Sequence, residues 1–314
     1  MNPPMTVLPL VLSARMARDF SFVTEATVVT TLTAETGRTT EGGAPPPETV
    51  LRPRRSLWPI DWRELRQYRD LLWFLGLRDV QVRYKQTLLG AGWAIIRPVV
   101  SMVVFTLLVG KVMGVAEMDD PVYVYAGLIP WTFFAAFVTA ATTSLVTNAA
   151  LVQKVYCPRL LLPLSAAGAP LVDCVMGLAV LAVMMPLLGA GFGWQLLLVG
   201  PLLGLTVLAS VAIGVGLAAM TGYYRDVRHA TPFLIQTMFF LTPVIYPRTI
   251  VPAEWRWLYL LNPMSGPIEG FRAAVLGAPV DWLGLGASGV VSVACLTGSL
   301  MLFGSMQRKL ADVV

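Results

Sequence analysis

A chain whose only histidine is His229 cannot assemble a His-based metal site or a Ser/His/Asp relay on its own. Its three cysteines, Cys157, Cys174 and Cys295, show no CxxC or Cys/His spacing, and two of them lie inside apolar runs, so they read as free thiols. Charge is scarce. Asp, Glu, Lys and Arg make up 13% of the residues, where a soluble domain carries about a quarter. Neither GxxxxGKS nor GxxxxGKT occurs anywhere, so the chain has no loop with which to cradle nucleotide phosphates and cannot hydrolyse ATP by itself. The paired acids and metal-binding motifs of a membrane-bound glycosyltransferase are missing too.

What is abundant is apolar sequence: 56% of the residues are hydrophobic and the mean hydropathy is +0.69. These values describe an all-α, polytopic membrane protein. A net charge of +5 suggests nucleic acid in a soluble protein, but here the basic residues flank apolar spans and orient them, so no nucleic-acid partner is expected.

Residues 1–57 are rich in Thr, Pro, Gly and Ala, with GGAPPP at Gly42 to Pro47 and RPRR at Arg52 to Arg55, and read as a disordered tail. Met5 to Leu12 is apolar but too short for a signal peptide, and no basic segment precedes it; a start codon further along the gene is an alternative. Residues 58–314 then read as one transmembrane domain. From Asp61 the pattern turns helical, with Leu65, Tyr68, Leu72 and Leu75 on one face and Arg63, Arg66, Arg69 and Asp70 mainly on the other. A basic polar face with Trp62, Trp73 and Phe74 nearby suits a helix lying flat among lipid headgroups. Packing on a cytoplasmic partner is the alternative.

At about 20 apolar residues per crossing, six spans are expected: Leu88 to Val112, Val122 to Val146, Leu160 to Leu188, Leu196 to Thr221, Pro232 to Ile245 and Leu283 to Met306. The fifth is short and is interrupted by Pro243 and Pro247. Leu258 to Leu276 is expected as a pair of short re-entrant helices, tolerated at membrane depth where protein or a water-filled cavity covers the backbone. With the tail in the cytoplasm, Lys154, Arg159, Arg225, Arg228, Arg308 and Lys309 gather on the tail's side, against Lys111, Arg248, Arg256 and Arg272 opposite. This bias puts both termini inside.

Three short, charged loops are pinned between spans: LRDVQVRYKQ, QKVYCPRLLLP and GYYRDVRHATP. They are places where a push from a cytoplasmic partner moves whole helices, or they are simply positive-inside anchors. Arg97, about a turn inside a span, is costly unless it snorkels or finds a partner. Asp173 is the one clear acid within a span and the only hint of a proton-coupled carrier. Tyr123, Tyr125, Trp131, Phe133 and Phe134, with Phe239, Phe240, Tyr246, Trp255 and Trp257, read mostly as an interfacial belt.

The blocks RDVQVRYKQTLLGAGWAIIRP, NAALVQKVYCPRLLLPLS, GYYRDVRHATPFLIQTMFFLTPVIYP and LNPMSGPIEGFRAAVLG resemble, in this order, the motifs of type-2 ABC transporter permeases that export bacterial polysaccharides such as O-antigen, capsule and teichoic acid. The resemblance runs from about Asp61 to the C-terminus and does not reach the tail. It implies a homodimer in the bacterial cytoplasmic membrane, paired with two copies of a separate ATPase that holds ATP and Mg, while this chain binds no cofactor and is not an enzyme by itself. It also implies a coupling element at Gln153, Lys154, Val155, Tyr156, Pro158 and Arg159, and a second ATPase contact at Tyr224, Arg225 and Asp226. The implied cargo is a glycan on undecaprenyl diphosphate. Arg78, Arg83, Lys85 and Arg97 are the cations nearest the depth at which that headgroup would enter; neutralising Asp79 or binding ordinary anionic lipids is the competing role. Glu269 and Arg272 fall in the outer gate, and their i, i+3 spacing allows an ion pair. Export of a drug or another lipid by a relative, and an ion-driven carrier, are the alternatives.

Overall fold

The computed structural model describes residues 62–85, 92–154, 157–191 and 193–311, and among them there is no strand. The tail, the entry turn at 86–91 and the pair Val155 and Tyr156 lie outside the described residues.

Helix α1 (Trp62–Gln67) leads into α2 (Arg69–Tyr84). The inward face is the one the leucine spacing marks: Leu75 is buried and Leu65, Tyr68 and Leu72 are half-buried, while Trp73 and Phe74 are exposed. A glycine contact fixes where α2 docks. A Cβ on Gly168 would lie 2.9 Å from the Cα of Gly76, so the two backbones touch where a side chain at Gly168 would separate them. Gly168→Ala is therefore expected to lift α2 and cost about 1–3 kcal/mol as overpacking, read as a lower melting temperature of the purified protein. The conservative Gly76→Ala, whose Cβ would meet Ser165 O at 3.5 Å and the Gly168 Cα at 3.8 Å, both ordinary contacts, is expected to be nearly neutral.

Helix α3 (Gly92–Phe105) continues as a π-helical stretch over Thr106–Val112. After a short turn comes α4 (Pro121–Thr147), which Asp120 caps by accepting from the Val122 amide at 2.8 Å, with Pro121 at the first position. α4 is the axis of the core. Tyr125, Trp131, Phe133, Phe134 and Phe137 are all buried on it, Trp131 packing on Phe134 and Phe239 at 5.4 Å each. The belt assignment is thus corrected for the α4 aromatics, which fill the space between helices. It survives in exposure for Phe240, Trp255 and Trp257.

Helix α5 (Ala149–Lys154) precedes the loop to α6 (Leu161–Ser165), which runs almost directly into α7 (Gly168–Leu187). Gly189, at φ 79°, turns the chain after α7. α8 (Val199–Thr221) is rich in small residues, and it needs them: a Cβ on Gly214 would lie 2.8 Å from the Phe137 ring of α4.

Among the described residues, five helical stretches are long and apolar enough to cross a membrane: Gly92–Val112, Pro121–Thr147, Leu161–Leu187, Trp194–Thr221 and Trp282–Met306. The expected fifth span differs. Its helix α9 (Asp226–Leu241) has 16 residues, with Asp226, Arg228 and His229 in its opening turns, and it stops at Thr242, where the chain becomes extended before Pro243. The chain then folds back through α10 (Arg256–Leu261) and α11 (Ser265–Leu276) to α12 (Trp282–Ala311). α11 is buried along most of its length and packs against α4, α8 and α12, so of the two short helices before the last span α11 is covered by protein, while α10 buries only Tyr259 and leaves Trp257, Leu258 and Leu261 exposed. Asn262 sets the corner between α10 and α11: its amide donates to Thr242 Oγ1 at 2.8 Å, its side-chain oxygen accepts from the Met264 amide, and its carbonyl accepts from Ser288 on α12.

A smaller apolar cluster closes one end of the bundle. Leu160, Val215, Ala219, Leu300 and Phe303 form it, with Leu65, Leu145, Leu164 and Met306 around them. The loop after α5, the ends of α4, α8 and α12, and α1 therefore meet at a single face.

Candidate functional site

At that face, the end of α2 reaches across to two other elements. Arg78 donates from Nη2 to Asp79 Oδ1 at 2.7 Å and to Asn148 Oδ1 at 2.8 Å. Asn148 closes the C-terminus of α4 by donating to Ser144 O, and α5 starts at the next residue. Arg83 Nη2 lies 2.9 Å from Asp173 Oδ2 on α7, and Tyr84 donates its hydroxyl to Asp173 Oδ1. Burial, and then that hydrogen bond, push the Tyr84 hydroxyl up to about 12, so it remains a donor. Asp173 is therefore not an isolated intramembrane acid.

These residues border a cavity of about 330 Å³, whose walls also include Trp93, Arg97, Trp131 and Thr132. Arg97 is exposed, with its guanidinium 5.7 Å from the Trp93 ring one turn earlier. Of the four cations expected at an entrance, Arg83 and Arg97 share this cavity. Arg78 is engaged with Asp79 and Asn148, and Lys85 is exposed beyond the end of α2. The competing role for Arg78, neutralising Asp79, is the one its geometry displays.

The second candidate region is the exposed rim of the same end. Gln153 and Lys154 are exposed at the end of α5. Pro158 and Arg159 are half-buried where their carbonyls start α6, accepting from the Leu161 and Leu162 amides. Val155 and Tyr156 lie outside the described residues. Tyr224, Arg225 and Asp226 are exposed on the turn between α8 and α9, Tyr224 edge-on to Tyr223 with ring centroids 5.2 Å apart. Leu160 at the end of one loop, Leu164 on α6 just after it and Ala219 near the other turn belong to the same small core, so both loops are anchored to one packed base.

At the opposite end of α4 the expected Glu269–Arg272 pair is not formed. Arg272 is 3% exposed and sends its fork to Pro243 O and Val244 O, at 2.6 Å each, with Tyr123 O and the Tyr123 hydroxyl at 3.3 Å. Its guanidinium carbon lies 4.2 Å from the centre of the Tyr123 ring. The two short bonds go to buried carbonyls in the turn that follows α9, each presenting the negative end of its dipole to the cation. That attraction explains why Arg272 turns away from Glu269. Gly127 leaves the room required, because a Cβ there would lie 2.6 Å from Arg272 Nη2.

Glu269 pairs instead with Arg248 at 3.5 Å, and Arg248 also holds Asp281 at the start of α12. The Gly284 amide, and then Arg248, hold the Asp281 carboxyl below the usual range. Thr249 adds a bond to Glu117 at 3.0 Å. Sequence reasoning did not assign Arg248, Asp281 or Tyr123 to this cluster. The only available signal was the concentration of charges in otherwise apolar outer segments.

No group of three or more His, Cys, Asp or Glu that could hold a metal ion occurs among the described residues, and all three cysteines are free.

The chain is 31% identical over 255 residues to the O-antigen export system permease protein RfbA of Myxococcus xanthus, an alignment that covers 80% of this chain and 98% of that protein. It is 23% identical to a protein of the same name from Klebsiella pneumoniae, over 78% of this chain and 95% of the relative. It is also 24% identical to the polysialic acid transport protein KpsM of Escherichia coli, over 64% and 80% respectively. Residues 70–276, from the start of α2 to the end of α11, match the family described as ABC-2 type transporter. The cavity, the exposed loops and the outer cluster all draw on that stretch, and the chain belongs to the ABC-2 type transporter family.

Proposed function

We propose that this chain is the permease subunit of an ATP-driven exporter that moves polysaccharide linked to undecaprenyl diphosphate across the bacterial cytoplasmic membrane. Two copies would form the pathway and two copies of a separate ATPase would drive it. The observation that carries this reading is the alignment with an O-antigen export permease over 98% of that relative's length. A chain without a phosphate loop in its own sequence must take its power from another chain that binds ATP and Mg.

The arrangement of residues supports roles for each end. The loop at Gln153 to Arg159 and the turn at Tyr224 to Asp226 present exposed polar and aromatic groups to an ATPase on the cytoplasmic side, where both termini would also lie. The cavity between α2, α3, α4 and α7 offers Arg97 and the Arg83–Tyr84 pair at headgroup depth, with Trp93 and Trp131 for the lipid. Arginine suits such a task because its planar fork can meet two phosphate oxygens at once. The Arg248, Glu269 and Asp281 cluster joins the α9–α10 connection, α11 and α12, so its opening would let these elements separate at the outer mouth.

The test is ATPase activity of the permease copurified with its ATPase, measured with and without lipid-linked glycan. Stimulation by the glycan is expected; transport in proteoliposomes that contain no ATPase would end the proposal. Arg97→Ala is expected to weaken lipid-diphosphate binding by about tenfold to a hundredfold, roughly one to two charge-assisted contacts. The melting temperature should stay unchanged, because the side chain is exposed. A lowered melting temperature with intact binding would make Arg97 a packing residue.

A further inference from the structure

We propose that Glu269 is a proton-binding residue of the outer cluster: a proton taken up from the outer medium holds α11 against α10 and α12, and it leaves when these helices part. The site follows from their packing; its link to opening rests on the reading of this cluster as the outer mouth.

The two carboxylates that share Arg248 are held unequally. Asp281 takes the guanidinium in close contact and also accepts the Gly284 amide at 3.1 Å, with its side chain 38% exposed. Glu269 has less. Its Oε2 meets Arg248 at 3.5 Å, the outer limit of a hydrogen bond, and its Oε1 is buried with no hydrogen-bond partner among the described residues. Ser265 Oγ, one turn earlier on α11, is buried without such a partner as well. Both residues line a recess of about 10 Å³, whose walls include Tyr259 of α10 and Asp281 of α12, with room for about one water. A charge on Oε1 therefore has neither a protein donor nor bulk water to hold it, and that is costly. The neutral acid carries its own donor, and Ser265 Oγ, directly or through one water, can accept it.

The charges around Glu269 decide how strongly the proton is held. Arg248, from the turn after α9, and Arg272, one turn along α11, favour the ion, whereas Asp281 of α12 favours the acid. Tyr259 of α10 and Tyr123 of α4 also lie in its field and stay neutral below about pH 9; α8 brings no ionisable group. Burial outweighs the two arginines and pushes the Glu269 carboxyl above the usual range. A carboxyl raised in the packed state stabilises that state as the pH falls, and the contribution is lost as the pH rises through the raised value. Asp281, held below the usual range, works in the opposite sense but only in stronger acid. Parting the helices admits water to Oε1, returns the carboxyl to its ordinary value and releases the proton. Acid outside thus keeps the mouth shut.

The test is the melting temperature of the full chain in nanodiscs from about pH 8 to about pH 5.5, where Asp281 stays ionised, set against Glu269→Gln, which subtracts every other titrating group. Wild type is expected to gain on the order of 3 °C over Glu269→Gln across that range, the shift for about a tenfold change in proton affinity. Ser265→Ala, which removes the acceptor, should move the midpoint of that gain to lower pH. Parallel profiles for wild type and Glu269→Gln would overturn the proposal, as would a wild type that gains as the pH rises. Opening is read separately, in proteoliposomes with the ATPase and ATP, as labelling of Leu260→Cys by an impermeant maleimide from the outer face, in a chain with its three cysteines replaced. Leu260 lines the recess half-buried, and the exposed Leu283→Cys corrects for the pH dependence of the reagent. Acid should slow the corrected labelling in wild type and leave it unchanged in Glu269→Gln. If it slows neither while the melting profiles differ, Glu269 still binds the proton and the outer-mouth reading fails.

Discussion

Arg272→Ala is expected to unfold the outer end of the bundle. The guanidinium is 3% exposed and its two shortest hydrogen bonds end on Pro243 O and Val244 O, carbonyls that lie just past the last turn of α9. Removing the donor leaves both acceptors buried without it, at about 1–3 kcal/mol each, and empties the space against Tyr123. The loss should reach about 3–5 kcal/mol, the range seen when a buried charged partner is deleted, and roughly a 10 °C lower melting temperature at a few degrees per kcal/mol. Arg272→Lys should recover only part of this. An ammonium carries three donors but no planar fork, so it cannot hold two carbonyls and lie flat on the Tyr123 ring together. Gly127→Ala approaches the same contact from α4, with its Cβ 2.6 Å from Nη2, and should reproduce a share of the effect. A melting temperature unmoved in Arg272→Ala, with export lost, would place Arg272 in a moving gate instead of the frame that holds the break in α9.

The contrast between Arg272 and Arg97 explains how far the sequence can be read. Both are arginines in or beside apolar segments; Arg97 has no acid close by in the chain, and the acid one turn from Arg272, Glu269, pairs with Arg248 instead. One is buried on carbonyls of the turn after α9, the other is exposed beside a tryptophan one turn away. Local patterns are legible: the inward stripe of α2, the proline-marked interruption after α9 and the short helices before the last span all follow from spacing and breakers a few residues apart. Partners from distant segments are not. Tyr84 and Asp173 are separated by 89 positions, Arg272 and Tyr123 by 149, and hydropathy contains no term that connects them. The aromatics of α4 mislead for a related reason. Burial by neighbouring helices and burial in lipid select the same side chains, so Phe134 and Trp131 read alike as belt or core until the helices around them are placed. The length of α9 was the remaining ambiguity, since Pro232 begins an apolar run while Asp226, already in the helix, brings charge into its first turn.

Reversing charge at Lys154 and Arg159 together is expected to abolish export while leaving membrane insertion and yield intact. Lys154 is exposed at the end of α5, and Asn148, which ends the preceding helix, is gripped by Arg78 of α2. The loop is therefore held from behind by polar bonds that the substitutions do not touch, and beneath by Leu160 and Leu164 in the small core. A charge reversal at the rim of an interface turns attraction into repulsion. Two such changes at about 1.5 kcal/mol each lower affinity for the ATPase on the order of a hundredfold. Pull-down of the ATPase by the double variant, together with export of glycan in cells, measures both steps. Lys154→Glu alone should account for most of the lost binding because it is the exposed member, whereas Arg159 is half-buried and its reversal should also lower the melting temperature. Undiminished export by the double variant would remove this loop from the drive train. Preserved ATPase binding with export lost would instead assign the loop to transmission: the push would arrive at α5 and fail to pass through Asn148 and Arg78 into α2, whose far end holds Asp173 at the cavity shared with Arg97.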